Sequence, residues 1–203
     1  LHAAPEVVRV LLDPAECGAV TLCLPEDVQA EAYDWPAHFF DERTHVVERR
    51  PPSAEAIAAA AALLTAATRP LLIAGGGLHY SDAFAALRAL CDRTGIPVAT
   101  TQAGTGALPA DHQCWLGGLG VTGSACANAI AREADVVLCV GTRLSDFSTA
   151  SKTQFQDPAV RFVSINVNAF DAHKHGAVPV VADARLGLGA LTEALGDTRY
   201  ALE

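Results

Sequence analysis

Short, unbroken runs of apolar residues that end in glycine or in polar residues recur along the chain. The first run, Pro70 to Ala74, stops at the glycines Gly75 to Gly77. An apolar run without alternation indicates a strand buried on both faces, as in a parallel sheet covered by helices. Further strands are predicted from runs of this kind at 96–101, 134–142, 161–168 and 178–183, and a short strand is predicted around 114–116.

The segments between these runs have helical character. An alanine-rich helix is predicted from its N-cap, Ser53, to about Thr68, and further helices are predicted after Ser81, over Ser124 to Ala134, and after Asp183. Strands that alternate with helices predict right-handed crossovers and an α/β class. The predicted fold is therefore a doubly wound parallel sheet of five or six strands, which is a Rossmann-like arrangement.

Residues 1–52 do not follow this alternation. A short helix is predicted at Pro5 to Leu12 and a strand at Ala19 to Leu24, which Pro25 stops. Residues 27–40 are rich in aromatics and prolines, which predicts an extended connector that packs its rings against another part of the protein. Residues 41–52 are charged and end in two prolines, with Arg49-Arg50 predicted to be solvated, so a domain boundary is expected near residue 52.

Composition and charge restrict the class of protein. The chain has 203 residues, of which 51% are hydrophobic and 18% charged, as expected of a globular protein. The net charge of −9 argues against nucleic acid or an anionic membrane as a partner. The longest apolar run, Ile57 to Leu64, is too short to span a membrane. A chain that lacks methionine and begins at Leu1 is expected to be a piece of a longer polypeptide.

The six cysteines do not favour a zinc site, because none forms a C-x-x-C pair. Cys139 lies in a predicted strand and Cys126 in a predicted helix, where thiols behave as small hydrophobic groups. Cysteine usage of this kind, with no visible signal peptide, predicts a reducing cytoplasm.

The glycine-rich segments do not fit the ordinary phosphate-binding motifs. The segment 75–80 lacks the third glycine of the dinucleotide fingerprint, and the next strand ends in threonine rather than in an acid. No G-K-[ST] follows the glycines, so a P-loop is excluded. Residues 120–123, before a predicted helix, are the better candidate for holding a phosphate through main-chain N–H groups. The alternative is that these glycines serve only tight turns.

Catalytic motifs find little support in this sequence. There is no G-x-S-x-G elbow, and the spacing of His173 and His175 is not that of H-E-x-x-H, so this segment is predicted to be a solvated loop. No catalytic residue and no metal ligand are therefore predicted in this chain.

Four segments together resemble the thiamine-diphosphate-dependent enzymes of the acetolactate synthase type. Together they cover nearly the whole chain in the order that the family uses. The matching runs are LPEDVQ at 24–29, PVATTQAGTGALP at 97–109, LGVTG at 119–123 with AN at 127–128, and ADVVLCVGTR at 134–143. Residues 166–168 and 181–183 stand at the expected distances from these runs.

Within this family, the sequence is most similar to members that hydrolyse a C–C bond of a cyclic 1,2-diketone in myo-inositol catabolism. The runs that carry this likeness are DVQAEAYD at 27–34, RRPP at 49–52, TQAGTGA at 101–107, GVTG at 120–123 and VGTRLSDFSTAS at 140–151. The expected parent is thus such a hydrolase. The alternatives are an acetolactate-synthase-like carboligase, or a stand-alone nucleotide-binding or scaffolding module.

The resemblance also implies a domain organisation. Family members use three domains: the first supplies a glutamate that activates the cofactor, and the third carries a GDG…N motif that holds diphosphate through Mg²⁺. Neither feature is found in this sequence. Residues 1–30 are expected to end the pyrimidine-binding domain, 31–52 to connect, and 53–203 to form the central domain, with a DHS-like NAD/FAD-binding fold. The chain alone is therefore predicted to be inactive.

Central domains of the family bind FAD, an ADP moiety or no ligand. The loops that match the family's cofactor-binding positions contain Gly75, Gly76, Gly77, Thr101, Gly120, Val121, Thr122, Gly123, Gly141, Thr142, Arg143, Asn166, Val167, Asn168 and Asp183. One departure counts against flavin, because Phe147 stands where FAD-binding members usually have a second arginine. The resemblance further implies thiamine diphosphate and Mg²⁺ in flanking domains, and a cytoplasmic homo-oligomer (dimer or tetramer) with no nucleic acid or membrane partner.

Overall fold

The computed structural model describes residues 2–201, and the chain divides into two compact units, Leu1–Glu48 and Arg49–Glu203. The second unit contains the predicted sheet. It has six strands, all parallel, in the order β3-β2-β1-β4-β5-β6. The strands are β1 Pro70–Ala74, β2 Val98–Thr100, β3 Trp115–Gly118, β4 Val136–Val140, β5 Arg161–Asn166 and β6 Val178–Val181. The predicted fold class is confirmed.

Helices connect β1 to β2, β3 to β4 and β5 to β6, as the alternation predicted, whereas β2–β3 and β4–β5 are joined by long loops without an α-helix. The helices of the second unit are α3 Ala54–Thr65, α4 Gly77–Tyr80, α5 Phe84–Thr94, α6 Ala125–Glu133, α7 Ala169–Ala172 and α8 Ala184–Ala194; the first unit contains α1 Ala3–Leu12 and α2 Glu26–Gln29. The sequence did not predict α2 or the one-turn helices α4 and α7. Within residues 2–201, no helix has the length and hydropathy needed to cross a membrane.

Both faces of the sheet are buried, which explains why its strands show no polar alternation. Strand β4 illustrates this, because Leu138 packs in the cluster that includes residues of α3, α5 and α8, whereas Val137 packs against the opposite cluster with Ala127 and Ala131 of α6. All five residues of β1 and all five of β4 are buried. The two helical layers thus exclude water from the centre of the sheet.

Three predicted helix starts agree with the structure and one does not. Ser53, Ser124 and Asp183 each accept hydrogen bonds from main-chain N–H groups of the first turn of α3, α6 and α8. Ser81 does not cap α5, which begins after Ala83; instead the Ser81 Oγ accepts a hydrogen bond from Ala184 N at 3.3 Å. The Ser81 hydroxyl, which the local sequence assigned to the N-cap of α5, therefore accepts its hydrogen bond from a residue distant in sequence.

The first unit has helical segments but no buried residue among 2–48. The predicted helix at Pro5 to Leu12 lies within α1, whereas the strand predicted at Ala19 to Leu24 is wrong, because that segment has no regular structure. An apolar segment forms a stable strand only when another strand pairs with it. The predicted extended connector includes α2 and a 3-10 turn at Ala37–Phe40, where aromatic rings pack on one another.

Candidate functional site

The structure brings the predicted site residues to one edge of the sheet, where the parallel strands end. This is the edge at which open α/β sheets bind ligands. The strand order reverses between β1 and β4, so this pair marks the switch point. The predicted residues follow β1 (Gly75–Gly77), β2 (Thr101), β3 (Gly120–Gly123), β4 (Gly141–Arg143) and β6 (Asp183), or end β5 and follow it (Asn166–Asn168).

At the switch point the two glycine loops contact each other directly. Gly75 N donates to Val140 O at 2.8 Å, and Gly77 N donates to Gly141 O at 2.9 Å. A Cβ atom on Gly77 would lie only 2.6 Å from Gly141 Cα, and Gly141 itself has a positive φ of 59°. The glycines therefore permit a close contact between two loop backbones, and the N–H groups of Gly75 and Gly77 are engaged in it.

The loop after β2 packs against the end of β1, beside the glycine loops. Thr101 N donates to Ala74 O at 2.9 Å, and the buried Thr101 Oγ1 accepts from Gly104 N at 3.2 Å. A side chain on Gly104 would collide with the Ala74 carbonyl. Thr101 thus holds the turn that follows its own strand.

The 120–123 loop is held by α6 and by the loop that follows β4. Gly120 N donates to Asn128 Oδ1, and Asn128 Nδ2 donates back to Gly120 O, both at 3.0 Å. Val121 N donates to Phe147 O at 3.1 Å. The Val121 side chain and Thr122 are exposed. This loop is therefore rigidly placed, with Val121 and Thr122 at the surface.

The loops after β4 and β5 are also tied to each other. Gly141 N donates to Ile165 O at 2.9 Å, and Asn166 Nδ2 donates to Thr142 O at 3.3 Å. Asn168 caps α7, because its Oδ1 accepts from the N–H groups of the first turn of that helix. Arg143 is exposed at this edge, which leaves its positive charge available to an anion.

Asp183 is engaged on both of its carboxylate oxygens. Oδ1 accepts from the N–H groups of Arg185 and Leu186, and Oδ2 lies 2.8 Å from Arg49 Nη1. Asp183 N donates to Arg50 O at 2.8 Å. Sequence reasoning found the cap but missed the ion pair, so the expectation that Arg49 is solvated is wrong. Arg49 and Asp183 are 134 positions apart, so no local pattern in the sequence indicates that they pair.

The two cysteines nearest this edge differ in their exposure. Cys139 is buried in β4, and burial raises the pKa of its thiol to about 12, so it behaves as the predicted hydrophobic group. Cys126 lies in α6, as the predicted helix requires, and it is exposed, whereas Ala127 and Ala131 of that helix are buried.

The edge fits a bound nucleotide only in part. Main-chain donors that would cradle a diphosphate, such as those of Gly75, Gly77, Gly120 and Gly141, already bond within the chain. Among the predicted site residues, the exposed polar side chains are those of Thr122 and Arg143. Within residues 2–201, no group of three or more His, Cys, Asp and Glu side chains is arranged to hold a metal ion.

Comparison with known proteins identifies the class of this fold. Residues 57–191 match the family described as thiamine pyrophosphate enzyme, central domain. The chain therefore belongs to the thiamine pyrophosphate enzymes and contains their central domain. The resemblance inferred from the motifs is confirmed.

Two relatives with curated names are similar along almost the whole chain. The 3D-(3,5/4)-trihydroxycyclohexane-1,2-dione hydrolase of Bacillus cereus (strain AH820) is 45% identical over 200 residues, which are 98% of this chain and 31% of that protein. The hydrolase of the same name from Geobacillus thermodenitrificans (strain NG80-2) is 48% identical over 197 residues, 97% of this chain and 30% of that protein. The chain thus spans less than a third of their length.

A solved structure supports the fold. An X-ray structure from Mycobacterium smegmatis, described as a thiamin diphosphate-dependent enzyme, superposes with a TM-score of 0.64 at 22% identity. The superposition covers 77% of this chain and 30% of that chain.

Proposed function

We propose that the parent protein is a thiamine-diphosphate-dependent hydrolase that cleaves a C–C bond of a cyclic 1,2-diketone in myo-inositol catabolism, and that this chain is its non-catalytic central domain. The observation that carries the proposal is identity of 45–48% over nearly the whole chain with relatives named trihydroxycyclohexane-1,2-dione hydrolase. The motif DFSTAS at 146–151, which distinguishes this branch of the family, lies inside the matched region.

The geometry of the sheet edge supports a scaffolding role for this domain. The loops that follow the strands hydrogen-bond to one another, and most of the residues in the site are glycine, threonine and asparagine. Its one acid, Asp183, is engaged by Arg49 and by the first turn of α8. Chemistry on a carbonyl substrate needs an acid, a base or a nucleophile placed toward it. Thiamine diphosphate supplies carbanion chemistry at the carbonyl when bound, and we place it, with Mg²⁺, in the other domains of the parent.

We further propose that any nucleotide at the carboxyl edge is held through exposed side chains. Thr122 and Arg143 are exposed, whereas the N–H groups of Gly75 and Gly77 are engaged. FAD is the less favoured ligand, because Phe147 stands where FAD-binding members usually have a second arginine. An ADP moiety needs only one cation and a few hydroxyls. Equilibrium dialysis measures ADP binding, and Arg143→Ala should abolish it.

The parent is proposed to act as a homo-oligomer, a dimer or tetramer, in the cytoplasm. All six cysteines are free thiols in this structure, as suits a reducing compartment. Analytical ultracentrifugation of the full-length protein measures the oligomeric state directly.

Product analysis tests the proposed activity. The full-length protein, supplied with thiamine diphosphate and Mg²⁺, should open the ring of trihydroxycyclohexane-1,2-dione and should not condense pyruvate. Condensation of pyruvate without ring opening would instead establish the carboligase alternative. The 203-residue chain should be inactive with both substrates, and turnover by this chain alone would overturn its assignment as a non-catalytic domain. If the full-length protein catalyses neither reaction, a nucleotide-binding or scaffolding module is favoured instead.

A further inference from the structure

Two cysteines from different elements meet in the interior, at the end of the sheet opposite the carboxyl edge. Cys91 lies in the last turn of α5, and Cys114 immediately precedes β3. Both side chains are fully buried, at 0% exposure. The Cys114 thiol donates to the Cys91 carbonyl at 3.8 Å, and both thiols are free. Two thiols that share one buried site are the starting point for a disulfide.

The polar surroundings fix the segment that carries Cys114. Cys114 N donates to His112 Nδ1 at 3.2 Å, so this ring nitrogen is unprotonated and Nε2 carries the proton. The Nε2 atom lies 3.0 Å from Asp92 Oδ1 and donates to it. His112 therefore links Asp92, the residue beside Cys91, to the backbone of Cys114. These two hydrogen bonds fix the end of α5 relative to the segment that precedes β3.

A cavity is lined by the residues that adjoin the two cysteines in the chain. It has a volume of about 190 Å³ and is lined by Asp92, Thr94, Gly95, Gln113, Arg199 and Tyr200. Asp92 adjoins Cys91 in the chain and Gln113 adjoins Cys114, so both cysteines lie one residue from its wall. Its polar lining suits a small polar oxidant such as hydrogen peroxide.

Burial makes the pair slow to react at neutral pH. Burial raises the pKa of both thiols, and the negative charge of Asp92 raises it further. The thiolate is the reactive form. Reaction should therefore accelerate as the pH rises.

We propose that Cys91 and Cys114 are a redox modification site, at which hydrogen peroxide forms a reversible disulfide that ties the end of α5 to the start of β3. One thiol loses its proton, the thiolate attacks a peroxide oxygen, and the O–O bond breaks to give a sulfenic acid and hydroxide. The hydroxide takes up the released proton and becomes water. The second thiol then attacks the sulfenic sulfur, forms the S–S bond and releases a second water. Two thiols are oxidised and one peroxide is reduced to two waters. This inference does not depend on the proposed function.

Peptide mapping tests the site. Trypsin cleaves after Arg88, Arg93 and Arg132, so Cys91 falls in the peptide 89–93 and Cys114 in 94–132. The second peptide also holds Cys126, so the full-length protein is studied with Cys126→Ser. After peroxide treatment and alkylation of free thiols, mass spectrometry should find these two peptides joined, and dithiothreitol should separate them. The yield should rise with pH while the circular dichroism spectrum stays native.

Matched variants separate a specific pair from general oxidation. With Cys91→Ser, no crosslink to residues 94–132 should form, and Cys139, buried alone in β4, should remain a free thiol throughout. The proposal is overturned if Cys91 and Cys114 stay alkylatable at the peroxide dose and pH that oxidise the exposed Cys17 and Cys23. It is also overturned if the crosslink forms only in urea, because the native fold would then not hold the thiols in reach.

Discussion

Arg49 Nη1 lies 2.8 Å from Asp183 Oδ2, and the Asp183 side chain is only 5% exposed. The pair ties the segment that enters the second unit to the start of its last helix, α8. The same carboxylate caps α8 through two main-chain N–H groups. One side chain thus holds together two parts of the domain that lie far apart in sequence.

Substitutions at Asp183 should separate its two roles. Asp183→Ala removes both the ion pair and the cap, and should lower the free energy of unfolding by about 2–4 kcal/mol. Asp183→Asn keeps a cap acceptor and loses only the charge, so about half that loss is expected. Urea unfolding of both variants, with Arg49→Gln as the partner control, measures the difference. Equal losses for Ala and Asn would show that the cap contributes nothing.

Two glycines of α8 provide a matched test of packing against the sheet. A Cβ on Gly187 would lie 2.7 Å from Ile165 Cγ2 in β5, whereas a Cβ on Gly189 would meet nothing within 4 Å. Gly187→Ala should therefore destabilise the domain by about 1–3 kcal/mol through overpacking. Gly189→Ala should stabilise it by about 0.5–1 kcal/mol, because alanine favours a helix. Thermal unfolding should give melting temperatures that move in opposite directions, and a shift of the same sign would contradict the close approach of Gly187 to Ile165.

Strand β4 should not tolerate a charge. Val137 is fully buried, so Val137→Asp places a carboxylate in the sheet with no partner, at a cost of several kcal/mol against a total stability of about 5–15 kcal/mol. Val121→Asp is the control, because Val121 is 59% exposed and should change stability by less than about 0.5 kcal/mol. Circular dichroism should show the first variant unfolded and the second native. A folded Val137→Asp protein would mean that this strand is not interior.

The stability of the domain should fall in acid partly through Asp135. Burial alone would raise the pKa of its carboxyl, but hydrogen bonds from Thr68 and from the Arg69 N–H hold it below the usual value. A lowered folded-state pKa stabilises the fold above the unfolded-state pKa of about 3.9, and this contribution is lost as the pH falls through the folded-state value. Asp135→Asn should therefore flatten the pH dependence of urea unfolding below about pH 5. An unchanged slope would exclude this role.

Residues 2–48 should be the first part of the chain to be cleaved. Not one of them is buried, and Tyr33, Trp35 and Phe40 are exposed. Few buried contacts predict a low free energy of local opening. Limited proteolysis should cut before Arg49 and leave a resistant core. Uniform resistance from the start of the chain, in a dilute monomeric sample, would show that these residues are more stable than their exposure indicates. The domain assignments for residues 1–30 and 31–52 remain predictions.

The strands and most helix caps could be predicted because their causes are local. A run such as Val136–Val140 is apolar throughout since both faces of the strand are covered, and Asp183 caps the helix that follows it. Gly95 ends α5 for a similar local reason, because a positive φ of 71° at the C-cap suits glycine.

What the sequence could not supply were pairings between distant elements. Ser81 has the sequence context of a helix cap, but its hydroxyl accepts a hydrogen bond from Ala184 N instead. Ala19 to Leu24 has the composition of a strand, but no partner within the described residues 2–201 pairs with it. The contact of Gly77 with Gly141 has the same character, because each glycine also suits an isolated turn. The fold class could therefore be predicted from the sequence, whereas the contacts between the loops of the candidate site could not.

The chain enters and leaves the second unit at opposite ends of the sheet. Arg50 O binds Asp183 N beyond the end of β6, whereas Tyr200 N binds Thr94 O and Tyr200 Oη donates to Leu64 O near the starts of β2 and β1. A five-residue strand separates the two ends by about 17 Å. Joining residues near Arg50 to residues near Tyr200 for circular permutation would therefore need a linker long enough to cross the sheet.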